Sequence, residues 1–353
     1  CYGERRRRKF MDHCTKGTHN GRRTASAQSP HCMAQLFNRR FAGDFAMNYC
    51  CYTVSGKKVA LLPPISVQIN VHEDAPADDM TVIFPLIEQV PKIATIRVWN
   101  GEKPIFSGII DEQIMGVTKN GAMLKLIARS RAALLLDNEA MPQEYHYPSL
   151  TQLYERHVEP YGFCGFIGNG GTFDTKMTIT KGMSEWQVIE EFCVRCFGTI
   201  PFVTADDYID CSGAVPNEQL VFDNSDASCI PYLSILYRDK FYKRVSELYI
   251  QPKLGQAYTS VVHDDQAHKL GVQRRRFVVS NNYRGTRMID SAKRKAVEVT
   301  VVCAGGICGS LKMPVVISDA ILGTIDKLSI AGWTYTLNSN GERCEYLLRK
   351  EDI

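Results

Sequence analysis

From about residue 52 onward, apolar and polar positions alternate in short runs separated by turn residues. "ISVQINV" (65–71) has the period of a half-buried strand, with one face inward and the other toward water. "MTVIFPL" and "TIRVWNGEKPIFSGIID" continue the pattern. Asn100-Gly101 and Asn120-Gly121 predict type I′ hairpins, which need positive φ at both central residues. Strands at this spacing predict a small barrel or sandwich.

The period changes near residue 127. "LIARSRAALLLD" predicts a helix with Ile127, Ala132, Leu134 and Leu135 toward a core. Ser149 and Gln152 form a capping-box pattern ahead of Leu150, Leu153, Tyr154 and His157, which fall on one helical face. Ser184 and Gln187 repeat the device before the stripe Trp186, Ile189, Phe192, Cys193 and Cys196, and Gly198 stops that helix. "TIPFVTADDYIDCSG" resumes strand character. Beyond about residue 213, "YLSILYRD", "RVSELYIQP", "RRRFVVSN" and "VEVTVVCAG" predict strands, with a helix at "TRMIDSAKRKA". The C-terminal segment predicts two strands around Asn340-Gly341. The order is β unit, α/β unit, β unit, so the fold class is α+β, mainly β. The two β units are of similar size, as a diverged duplication would leave them, although no short repeat is visible.

Length and composition change this picture little. The chain has 353 residues, 44% hydrophobic and 23% charged, which suits two or three globular domains. No run of 18 apolar residues occurs, so no transmembrane helix and no stable membrane insertion are expected. The start lacks the pattern of a secretory signal. Charge changes more. Residues 1–46 hold ten Lys/Arg against three acids, leaving 32 basic against 35 acidic residues for the rest. "RRRRK" therefore reads in two ways: a nucleic-acid-binding arm acting on phosphates, or a disordered or non-native extension ahead of a natural start at Met47.

Reactive groups are sparse. Thirteen cysteines are an odd number and cannot all pair within one chain. "CVRC" (Cys193, Cys196) has redox or zinc spacing, but Cys303 and Cys308 are too loosely spaced to complete a zinc site, so buried thiols are expected. His157, Cys164 and Asp174 allow a Cys–His hydrolase to be imagined, yet His157 lies on an apolar stripe and nothing around Cys164 supplies an oxyanion hole. "GFIGNGGTF" lacks the Lys-Ser/Thr of a phosphate loop and reads as a turn. "HEDAPADD" and "TADDYID" lack calcium-loop spacing and read as solvated turns. Arg274, Arg275 and Arg276 alternate along a strand and predict no single basic patch. No catalytic, cofactor-binding or metal-binding residue is assigned, no cofactor is expected, and the expectation is a non-enzyme.

An ordered series of motifs carries a resemblance. Phe106, Gly108, Ile110 and Asp111 fit "F-x-G-x-I/V-D". Ala128, Arg129, Leu134–Leu136 and Asp137 fit "AR…LLLD", and Pro160, Tyr161, Gly162, Gly198 and Pro201 fit the "PYG" and "G…P" turns. Over residues 50–353 the chain resembles the baseplate hub proteins of contractile-tailed bacteriophages and their Mu-like and defective-prophage relatives. The resemblance implies two tube-like β-barrel domains, at 47–128 and 213–353, flanking an α/β insertion at 129–212, with 1–46 unmatched. It also implies a homotrimer whose six barrels form a pseudo-sixfold ring joining the tail tube to the central spike. The implied partners are the tail tube, central spike, baseplate wedge and tape-measure proteins, with viral DNA passing through the lumen without specific binding. The implied location is the virion tail baseplate, assembled in the host cytoplasm. Asp111 and Arg129 are expected to fix a junction or face a partner. Two alternatives remain at this point. One is a tail-associated cell-wall hydrolase or peptidase, for which an end at Ile353 leaves no appended domain. The other is a nucleic-acid-binding protein acting through 1–46.

Overall fold

The computed structural model describes residues 47–119, 121–279, 282–306 and 308–351. The basic segment 1–46 and Asn120 lie outside the described residues. The first β unit holds β1 Met47–Tyr52, β2 Lys58–Val59, β3 Ser66–His72, β4 Asp79–Leu86, β5 Thr95–Asn100, β6 Lys103–Thr118 and β7 Gly121–Ser130. The α/β unit follows with α1 Ala132–Asp137, β8 Gln143–His146, α2 Leu150–His157, β9 Gly165–Ile167, β10 Lys176–Ile179, α3 Glu185–Cys196, β11 Phe202–Val203 and β12 Tyr208–Asp210. The second β unit begins with β13 Leu220–Asp223 and β14 Ser234–Asp239. It is interrupted by β15 Glu247–Gln251, β16 Ser260–His263, α4 Asp265–Lys269, β17 Arg275–Val279 and α5 Asn282–Arg294. It closes with β18 Val297–Ala304, β19 Pro314–Asp319, β20 Gly323–Asn338 and β21 Gly341–Lys350. The chain is α+β and mainly β, as its periodicity predicts.

The two β units are built alike. Strands of the first lie in the order β3-β4-β7-β6-β5-β1, and those of the second in the order β14-β18-β21-β20-β19-β13. Each unit turns on a hairpin of a 16-residue and a 10-residue strand, and the bounds of the two hairpins are offset by 220 positions throughout. The register breaks at the same step, leaving Asp111 unpaired in one hairpin and Ala331 in the other. One pairing differs: β1 runs antiparallel to β5, whereas β13 runs parallel to β19.

The units share a 13-stranded sheet and one core, in which Val67, Ile69, Phe84 and Leu124 meet Phe222, Tyr335, Tyr346 and Leu348. The alternation that predicts β3 and β18 is the alternation of their burial. A second core around Leu153, Trp186, Ile189 and Phe192 belongs to the α/β unit. A third contains only Val245, Leu248, Ile250 and Ile289 among its buried residues. It lies beneath the inserted sheet β16-β15-β17, a separate layer that sequence periodicity does not distinguish from the unit around it.

Two local expectations are corrected. The helix expected from residue 127 begins only at Ala132, because β7 runs on to Ser130 and Ile127 pairs with Thr81 and Glu112. Ladders on both sides override the helical propensity of "LIAR". The Asn-Gly turns also sit one residue away from the type I′ placement. Asn100 pairs with Lys103, so Gly101 is the first loop residue, with φ 60°, which is a type II′ arrangement. In the two long hairpins, Thr118 pairs with Gly121 and Asn338 with Gly341, which makes each glycine the first residue of its strand.

Candidate functional site at the joint between the two β units

The joint is a strand pairing. The far half of β20, Gly332–Leu337, runs antiparallel to β3 with Trp333 opposite Val71, Tyr335 opposite Ile69 and Leu337 opposite Val67. Tyr335 and Ile69 are fully buried. The Trp333 indole Nε1 donates to the Gly309 carbonyl at 2.8 Å, and the Thr334 hydroxyl bonds Asn70 Oδ1 at 3.0 Å. Gly332 makes the approach possible. A Cβ there would stand 2.6 Å from the Val71 carbonyl oxygen.

A charge network backs the joint. Arg349 of β21 holds Glu73 and, at 2.8 Å, Asp74 in the turn after β3. Arg294 reaches Glu73 at 2.9 Å and Glu351 at 2.8 Å, and Lys295 reaches Asp74 at 2.9 Å. Burial pushes the Asp74 carboxyl up, but its bonds to Arg349 and Lys295 outweigh this and bring it down to about 2. The composition of the acidic run "HEDAPADD" predicts a solvated turn. Glu73 and Asp74 are instead the anionic half of a structural network, held by one strand arginine, Arg349, which lies 276 and 275 residues away from them. "TADDYID" is corrected in the same way. Asp207 is buried, accepts from the Ser107 hydroxyl at 3.0 Å and faces Arg131 at 3.4 Å, tying the α/β unit to the first β unit.

At the equivalent hairpin of the first unit, Arg129 donates to Asp111 through Nε at 2.6 Å and Nη2 at 3.1 Å, and to Asp137 through Nη2 at 2.7 Å. The bulge exposes Asp111 to this fork, and α1 presents Asp137. The guanidinium pulls the Asp137 carboxyl below its ordinary value. This is the geometry of a brace between a bulge and the helix that leaves the sheet.

The groups that suggested chemistry are engaged otherwise. Both ring nitrogens of His157 are taken, by Glu185 at 2.5 Å and by the Tyr145 hydroxyl at 2.9 Å, while the Tyr161 hydroxyl donates to Glu185 at 3.2 Å. His157 is thus tied into a buried polar network on the α2 stripe, and neither Cys164 nor Asp174 takes part in it. Sequence pattern marks Glu185 only by its position directly after the Ser184 N-cap. Cys193 is buried facing Cys211, which together with burial pushes its thiol up, and the ten described cysteines are free. Arg274 donates to the Tyr242 and Lys243 carbonyls and Arg275 to Glu247 at 2.5 Å, so the arginine run is spread as expected. The sequence reading also missed Glu247, His263 and His268, whose ligand atoms lie within 4.8 Å of one another. Glu247 and His263 are cross-strand partners, but the Arg275 guanidinium already occupies the carboxylate.

The architecture matches known structures. The tail protein from Neisseria meningitidis MC58 superposes with a TM-score of 0.70 at 18% identity, covering 87% of this chain and 97% of that one. The 43 kDa tail protein of prophage MuSo2 from Shewanella oneidensis gives 0.70 at 14% identity, over 86% and 98%. The fold is that of prophage tail proteins. Prophage tail protein gp18 from Listeria monocytogenes EGD-e shares it more loosely, with a TM-score of 0.54 at 11% identity over 86% and 94%. No protein-family model matches the chain, and no curated protein matches it. At these identities the likeness is one of fold.

Proposed function

We propose that this chain is a structural hub protein of a phage or phage-derived tail baseplate, acting as a homotrimer and not as an enzyme. The observation that carries the reading is the repeated strand order of the two β units. A chain with two equivalent units, joined by β20 and β3, can build a ring of six units from three copies if the same joint recurs between chains. Such a ring matches a sixfold tube on one face and a threefold spike on the other. The tail tube and central spike proteins are then its axial partners, and the wedge and tape-measure proteins its neighbours, with DNA passing through the lumen without sequence readout. The assignment to a virion tail follows from the same reading, and the tail proteins that share the fold support it.

Native mass spectrometry combined with electron microscopy of the purified chain tests this. The expected result is a trimeric ring with a central channel and six similar lobes. A stable monomer that cleaves peptidoglycan would overturn the proposal.

A further inference from the structure

The two β units differ in one respect that their common plan makes informative. In the second unit, the far half of the long strand is covered: Trp333 and Tyr335 are buried against β3. In the first unit the equivalent half of β6, from Glu112 to Val117, pairs with β7 on one side only, because β5 ends its ladder at Ile109. The residues there that correspond to Tyr335 and Leu337 are Met115 and Val117, and they are 50% and 87% exposed. The counterpart of β3 is β14. It pairs with β18 on one edge, and among the described residues it has no strand on the other. Its Leu236 and Tyr237 are 47% and 40% exposed. Apart from Gln113, whose side chain accepts from the Ile93 amide and donates to the Pro91 carbonyl, each half of the joint seen inside the chain is therefore present a second time with no strand laid on it among the described residues.

We infer that β6 of one copy pairs antiparallel with β14 of the next, in the register that β20 and β3 use within the chain. This rests on the trimeric reading above and specifies its contact. The offset between the hairpins, carried through the β4–β7 and β18–β21 ladders, sets the pairs. Met115 then faces Tyr237, Val117 faces Ile235 and Glu112 faces Lys240. Met115 and Val117 lie on the sheet face of Leu124, and Tyr237 and Ile235 on that of Val299 and Val301, so the pairing continues one apolar core into the next. Exposed strand edges bearing apolar side chains are templates for such addition. The contact is head-to-tail, and a fixed rotation per unit closes it into a ring.

Paired cysteines read out the register. Residues directly opposite in an antiparallel pair have Cβ atoms about 4.5–5.5 Å apart, so a small inward shift brings them to the roughly 3.5–4.5 Å that a disulfide spans. Met115→Cys combined with Tyr237→Cys, oxidised at high protein concentration, is expected to give covalent dimer and trimer on non-reducing gels, with the 115–237 peptide identified by mass. Each single variant should match wild type. A trimer by native mass that forms no 115–237 disulfide would overturn this register and leave the ring standing. A disulfide ladder extending past three chains would support the strand pairing and overturn the trimeric ring. Monomers without the disulfide would overturn both.

Discussion

Arg129 and Arg349 stand 220 positions apart at the same place in two copies of one hairpin, yet the first side chain is 35% exposed and the second 6%. Their partners explain the difference. Arg129 braces a surface bulge through Asp111 and Asp137, whereas Arg349 is covered by the joint and neutralises Glu73 and Asp74. Exposed pairs contribute little because solvent screens them and both side chains lose freedom, while removing one member of a covered pair leaves a stranded charge. Arg129→Ala is expected to cost about 1 kcal/mol or less. Arg349→Ala is expected to cost about 3 kcal/mol. Denaturant midpoints compare them directly, and equal losses would show that the joint does not isolate Arg349 from water.

Asp74 gives the joint a pH signature. Its folded value of about 2 lies below the ordinary 3.8. A group depressed on folding contributes stability above its unfolded value, and that contribution is lost as the pH falls from about 4 to about 2. The side chain is 40% exposed, so the contribution after screening is about 1 kcal/mol. Stability measured at pH 5 and again at pH 2 should fall more for wild type than for Asp74→Asn. Parallel curves would remove Asp74 from the acid response.

Thiol reactivity should follow burial. Burial raises both Cys51 and Cys303 to about 12, and it also helps raise Cys193. Cys164 is exposed, and Cys196 and Cys229 are half-buried. The thiolate is the reactive form. Among the ten described cysteines, iodoacetamide at pH 8 should therefore label Cys164 first, Cys196 and Cys229 more slowly, and the buried set only after unfolding. Peptide mapping over time checks the order, and early labelling of Cys193 would mean that the α3 packing is looser than described.

Gly121 and Gly341 open the short strands of the two hairpins with φ of 120° and 96°. An added Cβ meets nothing within 4 Å at either position, so a side chain costs only backbone strain. Gly121→Val and Gly341→Val should each lose about 1–3 kcal/mol, by similar amounts. Thermal unfolding of the two variants tests the equivalence. A loss at one position alone would break it.

Strand positions, the caps of α2 and α3 and the Gly198 stop were legible because each depends on neighbours within a few residues. The Ser184–Gln187 capping box forms as the pattern requires. Size is what suggests the duplication in the sequence, since across the paired hairpins only Ile105, Ile110, Asn120, Gly121 and Arg129 recur 220 positions later as Ile325, Ile330, Asn340, Gly341 and Arg349. A strand order constrains which face is apolar without constraining which apolar residue fills it, so the plan persists while the letters change. The roles of Glu73, Asp74 and Asp207 were not legible. An acidic turn has the same sequence whether it meets water or an arginine from a distant strand, and only the assembled sheet brings Arg349 to Glu73.

The close approach at Gly332 is the most local test of the joint. Its φ is not in the left-handed region, so alanine is conformationally acceptable there, and the obstacle is steric: the new Cβ would sit 2.6 Å from the Val71 carbonyl oxygen and 3.0 Å from the His72 ring. The carbonyl belongs to a ladder and cannot rotate away without breaking the β20–β3 pairing. Gly332→Ala should therefore cost about 2–3 kcal/mol, as overpacking of a rigid contact does. Gly116→Ala is the control. It lies in the corresponding far half of β6, where the nearest atom to a new Cβ is the flexible end of Met123 at 3.4 Å, and Thr336 is its counterpart in β20. Its stability should stay within about 0.5 kcal/mol of wild type. Hydrogen exchange locates the damage: in Gly332→Ala, amides of β3 and of Trp333–Leu337 should lose protection while the α/β unit keeps its own. Uniform loss across the chain would mean that the two β units do not separate at this pairing first.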